Sequence, residues 1–257
     1  MLQLLHPAMK MTRAEKLARA EEKRRRVMHF LASGEGYSTI SILSRVMGVS
    51  EQTALPALKK LVEERMLRVD KNAVPFSNLK LWGISDHGLA VTETADPRCS
   101  AFVVGRTSPN FVAHHIDGQH VRLNLEQVGW TNYVPGRLLL ANNDQRQHKC
   151  IPDALVTSPN GCKVAIEIER HVKSRTRLAQ VIAAHLQQVR AGQYKYVYYF
   201  TPHHVALERA FLSVPAIKID VHWVKLTDGH RSIFRIFDMD SSPKEIANQR
   251  VIIDLTL

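Results

Sequence analysis

A mixed α/β fold in two parts is what this sequence predicts: a small helical module with a two-stranded extension, then a larger mixed sheet flanked by helices. Three observations carry that expectation. Residues 12–64 hold three stretches of helix formers separated by turns that contain glycine and serine. From residue 105 on, the order is helix–strand–hairpin–helix–strand–helix–strand. The 257 residues are 45% hydrophobic and 23% charged, with a formal net charge of +11. That composition suits a globular chain with one large core or two small ones, and the charge suits a polyanionic partner, nucleic acid before any membrane surface.

The first element is a helix over 12–32, rich in Ala, Glu, Lys and Arg, closing near Ser33-Gly34. Its Lys23-Arg24-Arg25-Arg26 run is either a solvated face or a phosphate contact. Residues 1–23 are read as a helical extension, and its opening Met1-Leu-Gln-Leu-Leu-His-Pro7 is too short for a signal-peptide core. A second helix, 38–47, is capped by Ser38 or Thr39. Gly48-Val49-Ser50 then turns the chain, and Ser50 caps a third helix from Glu51 to about Glu64, with Leu55, Leu58, Leu61 and Val62 at helical spacing. A helix, a glycine turn and a serine-capped helix form a helix-turn-helix pattern. Strands at Met66–Asp70 and from Leu79 flank a basic turn, and Trp82-Gly-Ile-Ser-Asp-His-Gly88 resembles the end of the wing in winged-helix proteins. Residues 24–95 are therefore expected to be a DNA-binding winged helix. Glu51, Gln52, Thr53, Lys59 and Lys60 would be exposed on its third helix. Gln52 and Thr53 would reach base edges, while Lys59, Lys60 and the wing's Lys80 would reach phosphates. A dimerisation or protein-docking surface is the rival reading.

Ala95–Ser100 reads as a linker to a second domain over 105–257. Ser108-Pro109-Asn110 opens a helix from Phe111 to Val128, which carries His114, His115, His120 and Glu126 and is weakened by Gly118. Trp130–Tyr133 is a strand. A hairpin over 150–169 turns at Ser158-Pro-Asn-Gly161. The basic loop Arg170–Arg177 runs into a helix over 175–191. Tyr196–Thr201 is a buried strand ended by Pro202, residues 207–213 are helical, and 217–224 is one final alternating strand.

The hairpin carries the chemistry. Alternate residues of a strand share a face, so Glu167 and Glu169 point one way and Ile166 and Ile168 the other. The turn near Asn160-Gly161 folds Asp153 back toward Glu167. Three converging carboxylates are costly unless a cation neutralises them, and hard oxygen donors suit Mg²⁺ or Mn²⁺. Pro152-Asp153 followed by Glu167-Ile168-Glu169 resembles the PD-(D/E)XK phosphodiesterase motif, with Glu169 where that motif has lysine. Lys163 and Lys173 are the candidates to replace it. A solvent-exposed acidic strand face is the bland alternative.

The order of a histidine-bearing helix, Gly129-Trp130, Pro152-Asp-Ala154, Glu167-Ile-Glu-Arg170, a long helix and Phe200-Thr-Pro202, behind a helix-turn-helix, is similar to the replication–relaxation family. The resemblance spans roughly residues 24–205. It implies a winged helix joined to a restriction-endonuclease-like domain, and a plasmid mobilisation relaxase of the MobC type that nicks DNA at a transfer origin during conjugation. It further implies accessory relaxosome and coupling proteins as partners. Asp153, Glu167 and Glu169 match the family's acidic motif, and Arg170 the basic residue after it. The expected roles are Asp153 and Glu167 as Mg²⁺ or Mn²⁺ ligands, Glu169 as ligand or general base, Lys173 or Lys163 at the phosphate, and Arg170, Arg175 and Arg177 on the flanking backbone. Tyr37, Tyr133, Tyr194, Tyr196, Tyr198 and Tyr199 are the candidates for a covalent nucleophile.

Two rivals stand beside the nickase: a non-catalytic DNA-binding regulator whose nuclease fold has decayed, and a double-strand endonuclease. No 18-residue apolar run argues for membrane insertion. Cys99, Cys150 and Cys162 lack zinc-ligand spacing and are expected to be reduced thiols in a cytoplasmic protein.

Overall fold

Thr12 starts the first helix, accepting from the Glu15 amide while the Glu15 carboxylate takes the Thr12 N–H at 2.7 Å. This computed structural model describes residues 11–75, 77–93, 95–141, 150–241 and 245–246; the first ten residues of the expected N-terminal extension and the last eleven of the second domain lie outside that set. Helix α1 (Arg13–Phe30) runs unbroken across the expected 23/24 boundary. It buries only its final turns, through Val27, Met28 and Phe30, and ends in a wide π-type turn, Leu31–Glu35. Strand β1 (Tyr37–Ser38) follows, then α2 (Ile40–Met47), capped by Thr39 rather than Ser38. Gly48, with φ 67°, turns the chain into α3 (Glu51–Glu63), capped by Ser50. Strands β2 (Leu67–Asp70) and β3 (Leu81–Ile84) pair antiparallel, and β1 pairs on the far side of β3. Strand β1 escapes a periodicity search because two residues have no period. Ser85 then caps α4 (Asp86–Val91).

The expected linker is packed. The Asp96 amide donates to Ala32 O, the Phe102 amide donates to Ile84 O, and the buried Phe102 ring fills the space that a side chain at Gly83 would need.

Helix α5 (Pro109–Gln127) joins the two halves. Its Ile116 and Leu123 pack on the core built from α1, α2 and α3, while Val121 and Leu125 pack on the large sheet. After β4 (Thr131–Pro135) and α6 (Gly136–Ala141) come the hairpin strands β5 (Ala154–Thr157) and β6 (Lys163–Ile168). Helix α7 (Arg175–Arg190) leads to β7 (Tyr196–Thr201), then α8 (His204–Leu212). The expected single strand over 217–224 is instead a hairpin, β8 (Ala216–Ile219) and β9 (His222–Lys225), forming its own small sheet. Asp220 at its turn has φ 54°, and the apolar alternation continues through that turn, which hides it in the sequence. A short α9 (Asp228–Arg231) precedes β10 (Phe234–Asp238).

Among the described residues the large sheet has the order β10-β7-β6-β5-β4, with β10, β7 and β6 parallel and the rest antiparallel. Strand alternation divides two cores. Val164, Ile166, Ile168, Tyr198 and Phe200 face α5; Ala165, Val197 and Tyr199 face α7 and α8. The fold is thus a mixed α/β layered structure with a separate three-stranded sheet in its N-terminal part. No helix among the described residues is long and apolar enough to cross a membrane.

Candidate functional site

In sheets of this kind, ligands bind beyond the carboxyl ends of parallel strands. Here that place is the end of β6 and the loop from Glu169 to Ser174. The hairpin register pairs Ala154 with Ile166, which brings Asp153 to the same end of the sheet. Asp153 is held on three sides. Its carbonyl accepts from the Gly136 amide at 2.6 Å, its Oδ2 accepts from the Ile168 amide at 2.7 Å, and its Oδ1 lies 3.0 Å from His114 Nε2 of α5. The hydrogen bond that His114 donates to Asp153, outweighing burial, raises the His114 pKa above its usual value.

Glu169 lies one residue past β6 and is buried, and its amide still donates to Phe200 O at 2.9 Å. Its carboxylate pairs with Lys173, four residues on. Burial lowers the Lys173 pKa, while the nearby Glu167 and Asp153 charges oppose that shift. Asp153, Glu169 and Lys173 line one cleft of about 710 Å³, along with His114, Arg137, Arg170 and Tyr37.

Glu167 keeps the direction that strand alternation predicts but does not join Asp153 and Glu169 in the cleft. On β6 it shares the parity of Ala165, so it turns into the layer between sheet and α7 rather than onto an exposed acidic face. There its Oε1 lies 3.2 Å from Nε2 of the fully buried His185. Burial raises the Glu167 pKa against the opposing effect of His185, while the Asp153 charge adds to the rise. Only Asp153 and Glu169 of the expected triad open into the cleft. Lys163 is not a candidate for the motif lysine. It sits at the other end of β6, opposite Thr157 and four residues from Glu167, or about 13 Å along a strand. Lys173 is the lysine that reaches the site.

The expected backbone clamps differ among themselves. Arg170 is engaged by Asp117 of α5. Arg175 and Arg177 are exposed in the first turn of α7, capped by Ser174. On the N-terminal module, Gln52, Thr53, Lys59 and Lys60 are exposed on α3, and Lys80 is exposed before β3. Among the tyrosines, Tyr194, Tyr198 and Tyr199 are buried, the Tyr133 hydroxyl donates to Gly118 O at 3.3 Å, and the Tyr37 ring packs, tilted, against Phe102 and His115.

Sequence reading missed His114 as a partner of Asp153, gave His185 no role, and read Cys150 only as a reduced thiol without zinc-ligand spacing. His185 follows Leu178 and Ile182 at helical spacing, so its place on the buried face of α7 was readable; its partner across the layer was not. His185 carries a pKa pushed up to about 9: burial opposes its charge, but Cys150 and Glu167 more than offset that.

Comparison of the chain with protein-family models, with curated proteins and with solved structures finds no match.

Proposed function

We propose that this chain is a metal-dependent, site-specific DNA nickase of the mobilisation-relaxase kind. The observation that carries the reading is the meeting of Asp153, Glu169 and Lys173 in one cleft at the end of β6, two acids and a lysine of the kinds that a phosphodiesterase of the PD-(D/E)XK type uses. Arg137 on the same wall adds positive charge suited to a phosphate backbone.

The donor chemistry fits a hard divalent cation, Mg²⁺ or Mn²⁺: carboxylate oxygens, with no sulfur lining the cleft among the described residues. Asp153 and Glu169 would hold it. Such an ion supplies charge neutralisation at the phosphate and activation of water. The protein's own part is positional. Backbone donors and His114 hold Asp153, Glu169 is ligand or general base, and Lys173 faces the developing phosphate charge. The N-terminal module supports a winged-helix reading, with α3 reading the origin through Gln52 and Thr53 and gripping phosphates through Lys59 and Lys60. Lys80 would grip from the wing, and Arg175 and Arg177 beside the cleft.

Conversion of supercoiled plasmid carrying the chain's own transfer origin to open circles tests this. Wild type with Mg²⁺ or Mn²⁺ should nick at one position. Chelation and Asp153→Ala should each abolish nicking while origin binding in a gel shift stays nearly intact. Nicking by Asp153→Ala at the wild-type rate overturns the proposal, and linear product points to a double-strand endonuclease.

A second reading has its own observation. Each expected carboxylate already has a cationic neighbour: His114 for Asp153, His185 for Glu167 and Lys173 for Glu169. That self-neutralised cluster suits a non-catalytic DNA-binding regulator. Salt-sensitive origin binding with no cleavage under any divalent cation selects it.

A further inference from the structure

Behind the cleft, between the sheet and α7, three donors of different kinds converge. Cys150 Sγ, a Glu167 carboxylate oxygen and a His185 ring nitrogen all lie within 4.8 Å of one another. The sulfur is 3.7 Å from His185 Nε2, and Glu167 Oε1 is 3.2 Å from the same nitrogen. Around a tetrahedral Zn²⁺ with Zn–S near ~2.3 Å and Zn–N or Zn–O near ~2.1 Å, donor pairs stand about 3.4–3.6 Å apart. The observed spacings bracket that range.

Two further observations point to an absent ligand. Glu167 Oε1 is sealed from solvent with His185 Nε2 as its neighbour, and the buried hydroxyl of Tyr199, which pairs with Glu167 in the β6–β7 register, has no partner. Buried polar atoms are rarely left in that state. The other ring nitrogen of His185, Nδ1, lies 2.7 Å from the Tyr194 hydroxyl. Metal-binding histidines are held in this way, with one nitrogen fixed by a neighbour and the other directed at the ion.

We propose that Cys150, Glu167 and His185 form a binding site for a thiophilic divalent cation of the Zn²⁺ class, with one position left for water. A thiolate donor separates it from the cleft, which no sulfur lines among the described residues. Cys150 is only partly buried, which gives an ion a way in. The bound ion would tie the segment before Asp153 to β6 and α7, three residues from the carboxylate that the cleft uses. The site stands whether or not the cleft cuts DNA.

Co²⁺ is the probe. Titrated into the reduced, metal-stripped full chain, about one equivalent should bind and give a thiolate-to-cobalt charge-transfer band in the near ultraviolet, which Zn²⁺ should bleach. Cys150→Ser should lose the band; Cys99→Ser/Cys162→Ser should keep it. Tyr194→Phe should keep the band but weaken affinity roughly 10–100-fold, as loss of a ligand's hydrogen-bond partner does. No thiolate band in the folded wild type, or a band that survives in Cys150→Ser, overturns the proposal. Because no step involves DNA, failure here is distinct from failure to nick.

Discussion

Glu35 is a buried carboxylate at the joint between the two halves of the chain. Burial alone would push its pKa up, but Arg122, with Nη1 2.8 Å from Oε1, together with His115 and Arg137, more than offsets that and holds it below the usual carboxylate value. Gln119 donates to its other oxygen at 3.1 Å. A group whose folded pKa is depressed contributes stability above its unfolded pKa, here 4.5, and loses it as pH falls through the folded value. Wild type should therefore be more stable than Glu35→Gln in urea at pH 6, and the gap should narrow steadily below pH 4.5. A gap that widens on acidification would show that Glu35 is not held as the anion. None of this was visible in the sequence. Glu35 lies in a glycine-flanked turn, and its partner is 87 positions away.

At the scale of elements, two glycines on either side of the cleft should respond in opposite directions. A Cβ at Gly136 would stand 2.5 Å from Pro152 O and 3.0 Å from Asp153 O, so the backbone that presents Asp153 would have to move. Gly136→Ala should cost about 1–3 kcal/mol, the usual cost of overpacking. At Gly118, inside α5, a Cβ would meet only Tyr133 Oη at 3.8 Å and Ile168 Cγ1 at 3.9 Å, which is ordinary contact. Gly118→Ala should stabilise by up to about 1 kcal/mol, the helix-propensity difference. Thermal or urea melts read both, and matching signs would refute the packing described for α5 and α6. These elements also show where sequence reading works. The β5–β6 hairpin was legible because alternation and a Ser-Pro-Asn-Gly turn agree. The direction of Glu167 followed from the same alternation. That it enters a buried layer depended on α7 packing over that face, which local pattern does not encode. Helix α5 was legible despite Gly118, whereas β1 has no signal of its own and exists through its pairing with β3.

For the molecule as a whole, the N-terminal module and the sheet share α5, so they should unfold together. Ile116 and Leu123 belong to one core, Val121 and Leu125 to the other. Polar contacts lock the junction: Ser38 Oγ donates to Gln119 Oε1 at 2.6 Å, Arg45 reaches Asn124 Oδ1 at 2.8 Å, and Arg122 lies over the rings of Phe30 and Tyr133 while it pairs with Glu35. A junction with both apolar and buried ionic parts couples two folding units, whereas a free linker over 95–105 would leave them independent. Calorimetry of the wild type should give one transition, with calorimetric and van't Hoff enthalpies equal. Arg122→Ala leaves Glu35 buried without its main counter-charge, a loss of about 3–5 kcal/mol for a buried pair. That loss falls on the junction and spares both cores, so the variant should split into two transitions, the lower belonging to one module alone. Two transitions already present in the wild type would mean that the shared helix does not couple the halves. A single transition in Arg122→Ala, merely shifted down, would place the coupling in the apolar contacts of Ile116 and Leu123.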